Sequence, residues 1–137
     1  YPLGYVPHNF HFLWFAASME GASAVAREAA EQTRKRTDLP ELMRQPGFEG
    51  LQHYWLTPWF DHVRFGRWDQ IAGKPNPAPD LLYVTAIWHY AQGMAALRTG
   101  AGLASVATPS EVELSAWAAL IWRRVTTCGS AAIWQML

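Results

Sequence analysis

Two histidines three positions apart, His8 and His11, are the residues best suited to chemistry in this sequence. On a helix, side chains at i and i+3 project from the same side. Two imidazoles in that arrangement can begin a zinc-type site, which needs three or four ligands. His53, His62 and His89 are the other histidines, and nothing in the sequence places them near the pair. A metal-binding or metal-dependent enzyme site on His8 and His11 is therefore one alternative, with a divalent metal as its cofactor.

Other patterns of catalysis do not fit this chain. Asp61 and His62 are adjacent, but neighbouring residues on a helix point about 100° apart, so the two side chains do not orient each other. The single cysteine, Cys128, has no base close to it in sequence and fits a reducing, cytoplasmic compartment. The sequence contains no phosphate-binding glycine loop and no His-Glu-x-x-His motif. It therefore favours a binding protein over an enzyme.

Charge and composition argue against two classes of partner. The chain carries 11 basic and 11 acidic residues, a balance that does not indicate nucleic acid or an acidic membrane surface. Its basic run, residues 34–36, is interpreted as a solvated helix end. Its most apolar run, residues 112–122, is too short to cross a bilayer. Half of the residues are hydrophobic and 14% are aromatic, and aromatics of this size dominate cores and interfaces.

The elements that position these residues are all predicted to be helices, because no run alternates as a strand does. Pro58 is expected to interrupt the third helix, and Asp80 is expected to cap the helix over residues 81–98. Between the second and third helices we expect at most one helical turn. The predicted helical segments are residues 7–19, 22–36, 51–65, 67–72, 81–98 and 110–127.

The first two helices are predicted to form an antiparallel hairpin around Gly21. The second helix presents a small-residue face on which a neighbour can approach closely: Ala22, Val25, Ala26, Ala29 and Thr33. The first helix is expected to pack through residues at i, i+3, i+4 and i+7 spacing: Phe10, Leu13, Trp14 and Ala17. Its opposite side has no polar stripe and carries His8, His11, Phe12, Phe15 and Met19.

Three blocks of the sequence carry a resemblance to a known family: Tyr5-x-x-His8-Asn9-x-His11-Phe12-Leu13, Arg64-Phe65-Gly66-Arg67-Trp68-Asp69 and Trp88-His89-Tyr90-Ala91-x-Gly93. In this order they resemble a group of bacterial tetratricopeptide-repeat proteins without assigned chemistry. Gly21 followed by Ala26 reproduces the spacing of the turn glycine and the small packing residue of that repeat. Members of the group usually run to several hundred residues, so the resemblance implies a fragment of a longer protein.

The resemblance implies an all-α fold, a short right-handed stack of antiparallel helical hairpins forming a tetratricopeptide-like α-solenoid over residues 1–102. Residues 103–137 are expected to form a divergent or capping helix and tail. The concave face of such a stack takes a peptide or protein partner, and further repeats of the same longer chain are another candidate partner. The residues expected to contact the partner are His8, Asn9, His11, Phe12, Phe15, Arg64, Arg67, His89 and Tyr90.

A third alternative is purely structural, a solenoid fragment with no site of its own. On this interpretation His8, Asn9 and His11 hydrogen-bond helix ends and backbone between hairpins. In the second block Gly66 supplies a turn, Trp68 packs across it, and Asp69 caps a helix or pairs with an arginine. Against this, Arg64 and Arg67 could bind a carboxylate through paired N–H donors. The sequence leaves these alternatives open.

Overall fold

A computed structural model describes residues 2–102 of the chain. Every regular element in this part is helical and no strand occurs within it, which confirms the predicted all-α class. The predicted solenoid arrangement stays a prediction. The predicted helix over 110–127, the region 103–137 and Cys128 lie outside the described residues. The elements are α1 (Pro2–Glu20), α2 (Ser23–Thr37), α3 (Pro40–Met43), α4 (Gly50–Trp55), α5 (Thr57–Arg64), a 3-10 helix (Trp68–Gln70) and α6 (Leu82–Thr99).

Three helices end in the same glycine turn. After α1, the N–H of Ala22 donates to the Ala17 carbonyl at 2.9 Å, across a Gly21 whose φ is +77°. This left-handed conformation strains any residue with a Cβ, and glycine adopts it readily. Helices α5 and α6 end on Gly66 and Gly100 with φ of +65° and +73°. The predicted turns at Gly21 and Gly66 are therefore confirmed, and Gly100 forms a third.

Helix α2 lies at the centre of the described fold, because it packs against α1 and also against α4 and α5. Its buried side consists of small residues, of which Ala26, Ala29 and Ala30 are at most 1% exposed. The buried Thr33 hydroxyl donates to the Ala29 carbonyl one turn earlier, at 2.8 Å, so this polar group is satisfied. The predicted small-residue face is confirmed except at Val25, which is 49% exposed.

The predicted packing face of α1 is partly wrong. Ala17 is buried and two of its predicted companions are half-buried, but Leu13 is 47% exposed. Helix α1 contacts α2 on one side and α4 and α5 on another, so its buried side turns away from Leu13. Half-buried His11 and buried Ser18 lie on that side instead. Helix α1 also begins at Pro2 and contains Pro7, at which the sequence predicts its start.

Pro58 separates two short helices, as predicted. Helix α4 ends at Trp55, and α5 begins at Thr57 with Pro58 in its first turn. Proline fits there because the first N–H groups of a helix have no partner within it. The single turn expected between α2 and α4 is also present, as α3.

The main apolar core lies where α4, α5 and α6 meet, and its fully buried residues include Leu56, Ile71 and Val84.

Asp80 does not cap α6, which corrects the prediction. Helix α6 begins at Leu82 and its N-cap residue, Leu81, makes no side-chain cap. The Asp80 carboxylate instead accepts hydrogen bonds from Nε and Nη2 of Arg44, at 2.6 Å and 3.0 Å.

The predicted short helix over 67–72 is reduced to one 3-10 turn, and side chains of α6 hold the segment that follows it. The Gln92 amide donates to the carbonyls of Ile71 at 2.8 Å and Lys74 at 3.0 Å.

The basic run at the end of α2 is not simply solvated, contrary to the prediction. The Arg34 guanidinium lies over the Trp55 ring, 4.2 Å from its centroid, and that of Arg36 lies 4.1 Å from the Phe10 ring centroid. A guanidinium over an aromatic face is attracted by the ring quadrupole. These two arginines therefore hold α2 to α4 on one side and to α1 on the other.

We expect Gly21→Ala to lower the free energy of unfolding by about 1 kcal/mol, because alanine resists a positive φ. Steric crowding is not the cause, since no described atom lies within 4 Å of an added Cβ. Gly93→Ala is the matched control, because Gly93 lies inside α6 with ordinary helical φ and similar space. It should stabilise the protein by about 0.5 to 1 kcal/mol. Urea denaturation measures both, and equal effects would contradict the assignment of the turn.

Candidate functional site

His11 lies in a group of aromatic side chains where α1 meets α4. Its ring centroid is 5.1 Å from that of His53, 5.3 Å from that of Tyr54 and 5.2 Å from that of Trp14. His53 also packs against Phe60 of α5 at 5.3 Å. We call this group, together with the residues that hydrogen-bond to it, the aromatic seam. Its members are His8, His11, Trp14, His53, Tyr54, Phe60 and Tyr83.

Histidine–tyrosine pairs connect three helices within the aromatic seam. Nδ1 of His8 on α1 lies 3.4 Å from the Tyr54 hydroxyl on α4. Nδ1 of His53 on α4 lies 2.9 Å from the Tyr83 hydroxyl on α6. Both polar atoms of each pair are therefore satisfied in a largely apolar contact, where an unpaired polar group would cost about 1 to 3 kcal/mol. The seam therefore accounts for His8 and His11 on the side of α1 that has no polar stripe, whereas Phe12, Phe15 and Met19 on that side are exposed.

His11 is neutral at pH 7 in this environment. Burial, followed by the proximity of His53 and His8, lowers its pKa from 6.5 to about 4. Its Nε2 atom is buried and has no hydrogen-bond partner among the described residues. Nε2 of a neutral imidazole can donate or accept one hydrogen bond, depending on the tautomer. His11 therefore packs against its aromatic neighbours and keeps the capacity for one further hydrogen bond.

The seam brings His8, His11 and His53 together, but not as a set of metal ligands. Within residues 2–102, no three histidine, cysteine, aspartate or glutamate side chains are placed so that they could hold one metal ion. The Nδ1 atoms of His8 and His53 are directed to tyrosine hydroxyls instead. The sequence analysis missed His53, Tyr54 and Tyr83, because pairs separated by 30 and 46 residues leave no local pattern.

A second polar group lies at the turn after α5. Arg67 forms an ion pair with Asp61, whose side chain is 1% exposed, and donates through Nη2 to the Ser23 carbonyl at 3.0 Å. Arg64 donates to the Ser18 carbonyl at 3.3 Å. Both arginines therefore reach from the turn after α5 to the backbone around the turn between α1 and α2. The ring of Trp68 packs across Gly66, as the structural interpretation expects.

Burial and charge oppose each other at Asp61. Burial raises the pKa of its carboxyl, and the Arg67 guanidinium counteracts that rise. The Trp14 side chain is near enough to lower the Asp61 pKa further, although neither the Trp14 N–H nor Asp61 Oδ1 has a partner at hydrogen-bond geometry among the described residues. Arg67 thus makes the largest compensating interaction with Asp61, and the charge of Arg27 adds a smaller one.

His62 beside Asp61 is not oriented by it. Nδ1 of His62 is 4.0 Å from the nearer Asp61 oxygen, beyond hydrogen-bond distance. Burial, followed by the charges of Arg67 and Arg27, lowers the His62 pKa to about 4. The expectation that these adjacent side chains do not orient each other through a hydrogen bond is confirmed.

The predicted partner-binding residues fall in three places. Helix α1 carries five of them, and of these Asn9, Phe12 and Phe15 are exposed. The two arginines lie at the turn after α5. Helix α6 carries the last two, with Tyr90 50% exposed and His89 half-buried against the ring of its neighbour Trp88, at a centroid distance of 4.7 Å.

Exposed apolar surface is concentrated on α1. Of the twelve large hydrophobic side chains exposed in the described part of the chain, seven lie on this one helix. No lysine, arginine, aspartate or glutamate occurs in α1 before Glu20, its last residue. We call this surface the open face of α1. Its residues are Leu3, Tyr5, Val6, Phe12, Leu13, Phe15 and Met19.

Comparison with known proteins adds no relative to this description. No family model matches the chain, and neither a curated protein nor a solved structure matches it. The resemblance to tetratricopeptide-repeat proteins therefore rests on the three sequence blocks alone. None of the helices between residues 2 and 102 combines the length and apolarity that a membrane span requires.

Arg67→Met should lower the free energy of unfolding by about 3 kcal/mol, because it leaves the buried Asp61 carboxylate without its cation. Arg64→Met is the matched control. It removes one hydrogen bond to a carbonyl at the same turn and should cost about 1 kcal/mol or less. Chemical denaturation at neutral pH measures both variants, and similar losses would refute the special role of the Asp61–Arg67 pair.

Acid should destabilise the protein in the pH range between 6.5 and 4. The folded-state pKa values of His11 and His62 are lowered to about 4, so over this range the unfolded chain binds protons that the folded chain excludes. Stability is therefore complete above pH 6.5, and each residue removes up to about 3 kcal/mol as the pH falls to 4. His11→Phe keeps an aromatic ring but no titrating group, and its unfolding free energy should vary less with pH than that of the wild type. Parallel pH profiles would contradict the assignment.

Proposed function

We propose that this chain is a protein-binding module of tetratricopeptide type, which receives a protein or peptide partner along the open face of α1. The observation that carries the proposal is the concentration of exposed apolar side chains on that helix. A concentration of exposed apolar side chains on one helix of a folded protein often marks an interaction site. The recurring helix ends at Gly21, Gly66 and Gly100 support the stacked-hairpin part of the proposal.

The chemistry of the open face suits a helix or an extended peptide. Phe12 is 61% exposed, Phe15 46% and Met19 66%. Aromatic side chains anchor interfaces with little loss of conformational entropy, and methionine adapts its shape to irregular partners. His8 and exposed Asn9 border these residues and supply hydrogen-bonding groups. A partner would therefore bury apolar side chains here and satisfy its polar groups at the border.

The predicted binding residues outside α1 are not equally available to contact a partner. Arg67 is already engaged by Asp61, so a role in clamping a partner carboxylate would compete with a buried ion pair. Arg64 makes one hydrogen bond, to the Ser18 carbonyl, and its guanidinium carries further N–H donors. Tyr90 offers an exposed aromatic ring on α6. Arg64 and Tyr90 are therefore the better candidates for contacts outside α1.

Selection from a random peptide library against the purified full chain tests this proposal. We expect enriched peptides to carry apolar residues at helical spacing or in alternation. Phe12→Ala should weaken a selected peptide at least about tenfold, measured by fluorescence anisotropy, without a large change in the melting temperature. Leu97→Ala is the matched control, because Leu97 is 66% exposed on a different helix. Peptides that bind the Phe12 variant as tightly as the wild type would contradict the proposal.

A further inference from the structure

We infer that the partner of the open face of α1 is the same face of a second copy of this chain, packed helix to helix as an antiparallel pair. The inference rests on the proposed function and names the partner at that surface. It is carried by the spacing of the exposed residues, by the absence of charge among them, and by their area.

The spacing on α1 is that of a helix–helix seam. Exposed Tyr5, Phe12 and Met19 are seven residues apart, and exposed Phe15 lies three residues beyond Phe12. Half-buried His8, whose Nδ1 is directed to Tyr54, lies three residues beyond Tyr5. This is the spacing of the a and d positions of a heptad repeat, which places these residues in one stripe along the helix. A second helix can contact such a stripe over its whole length. Helix α1 has 19 residues and is about 28 Å long. The stripe therefore fits a helix of similar length better than a short loop.

The positions beside the stripe permit close approach. On one side lie Asn9 and Ala16, both small and exposed, and beyond them exposed Val6 and Leu13. On the other side α1 is covered by α4 and α5. A second helix can therefore pack against the stripe and against the exposed residues beside it. The small side chains of Asn9 and Ala16 allow a short distance between the two helix axes.

The lack of charge favours a partner with the same surface. No lysine, arginine, aspartate or glutamate occurs from residue 2 to residue 19, and the first acidic residue is Glu20 at the end of α1. In helix pairs, charged flanking residues choose the partner and reject identical chains through repulsion of like charges. Two copies of α1 meet no such repulsion, and each buries apolar surface that water otherwise contacts.

The exposed area is that of a small, weak interface. With about 200 Å² for each aromatic side chain, the fractional exposures of Tyr5, Phe12 and Phe15 correspond to about 320 Å² on each copy, and exposed Val6, Leu13 and Met19 enlarge this area. Weak and transient interfaces bury less than about 1,200 Å² in total. We therefore expect a dimer with a dissociation constant in the micromolar range.

Symmetry places Phe12 at the centre of this dimer. In an antiparallel pair with two-fold symmetry, residues at equal distances from the axis face each other. Phe12 lies midway between Tyr5 and Met19 in the stripe, so it meets Phe12 of the second copy while Tyr5 meets Met19. Because Phe12 faces Phe12 across the two-fold axis, a charged residue at position 12 would face a like charge in the second copy. Charged substitutions at this position therefore test the arrangement.

The test is the mass of the full chain in solution, measured by sedimentation equilibrium at about 100 µM protein, a concentration at which a micromolar dimer is mostly assembled. The wild type should have twice the chain mass of 15.4 kDa. Phe12→Glu and Phe12→Lys should each be monomeric, with the dissociation constant raised at least about 100-fold. Mixed in equal amounts they should form a heterodimer, because opposite charges then face each other. Leu97→Glu on α6, equally exposed in the wild type, should remain a dimer.

A monomeric wild type at this concentration would overturn the inference, and so would a mixture of the two Phe12 variants that stays monomeric. A dimer that survives Phe12→Glu would place the contact elsewhere and also overturn it. Circular dichroism of each variant confirms that loss of mass is not loss of folding. If the wild type is monomeric while peptides selected on the open face still depend on Phe12, the dimer fails and the proposed function stands. If neither holds, both fail.

Discussion

Burial of the Asp61 carboxylate is the constraint on which the described fold depends most. A charge removed from water needs a fixed partner, and Arg67 supplies it from the turn that follows α5. The same guanidinium reaches the Ser23 carbonyl, and Arg64 reaches that of Ser18. One electrostatic requirement inside α5 therefore determines where the turn between α1 and α2 must lie. With that turn fixed, α1 is held against α4, and the aromatic seam can close.

The aromatic seam explains how a helix without a polar stripe has an inside and an outside. His11 and its neighbours take the side of α1 that faces α4, where imidazole nitrogens of His8 and His53 pair with tyrosine hydroxyls. The outer side keeps Phe12, Phe15 and Met19 exposed. Histidine serves here as a compact polar aromatic that tolerates burial when uncharged. The exposed side remains as the surface on which both proposals rest.

Much of the fold could be predicted from local sequence. Gly21, Gly66 and Pro58 act through their own backbone restrictions, so the turns and the helix break follow from the residue alone. The predictions that were wrong involved contacts over long separations. Asp80 has the properties of a helix cap, yet both of its carboxylate oxygens accept hydrogen bonds from the guanidinium of Arg44, 36 residues away. The partners of His11 could not be identified for the same reason, and partner binding and the solenoid arrangement stay predictions.

The contacts of Arg64 and Arg67 differ in how much they depend on the identity of the partner residue. Arg64 and Arg67 donate to main-chain oxygens of Ser18 and Ser23, which every amino acid possesses. Positions 18 and 23 can therefore change during evolution without loss of those bonds, provided that the backbone keeps its path. Asp61 and Arg67 interact through side chains and have no such latitude. Among diverged copies of this chain, residues 61 and 67 should change together, whereas residues 18 and 23 should vary independently of the arginines that hold them.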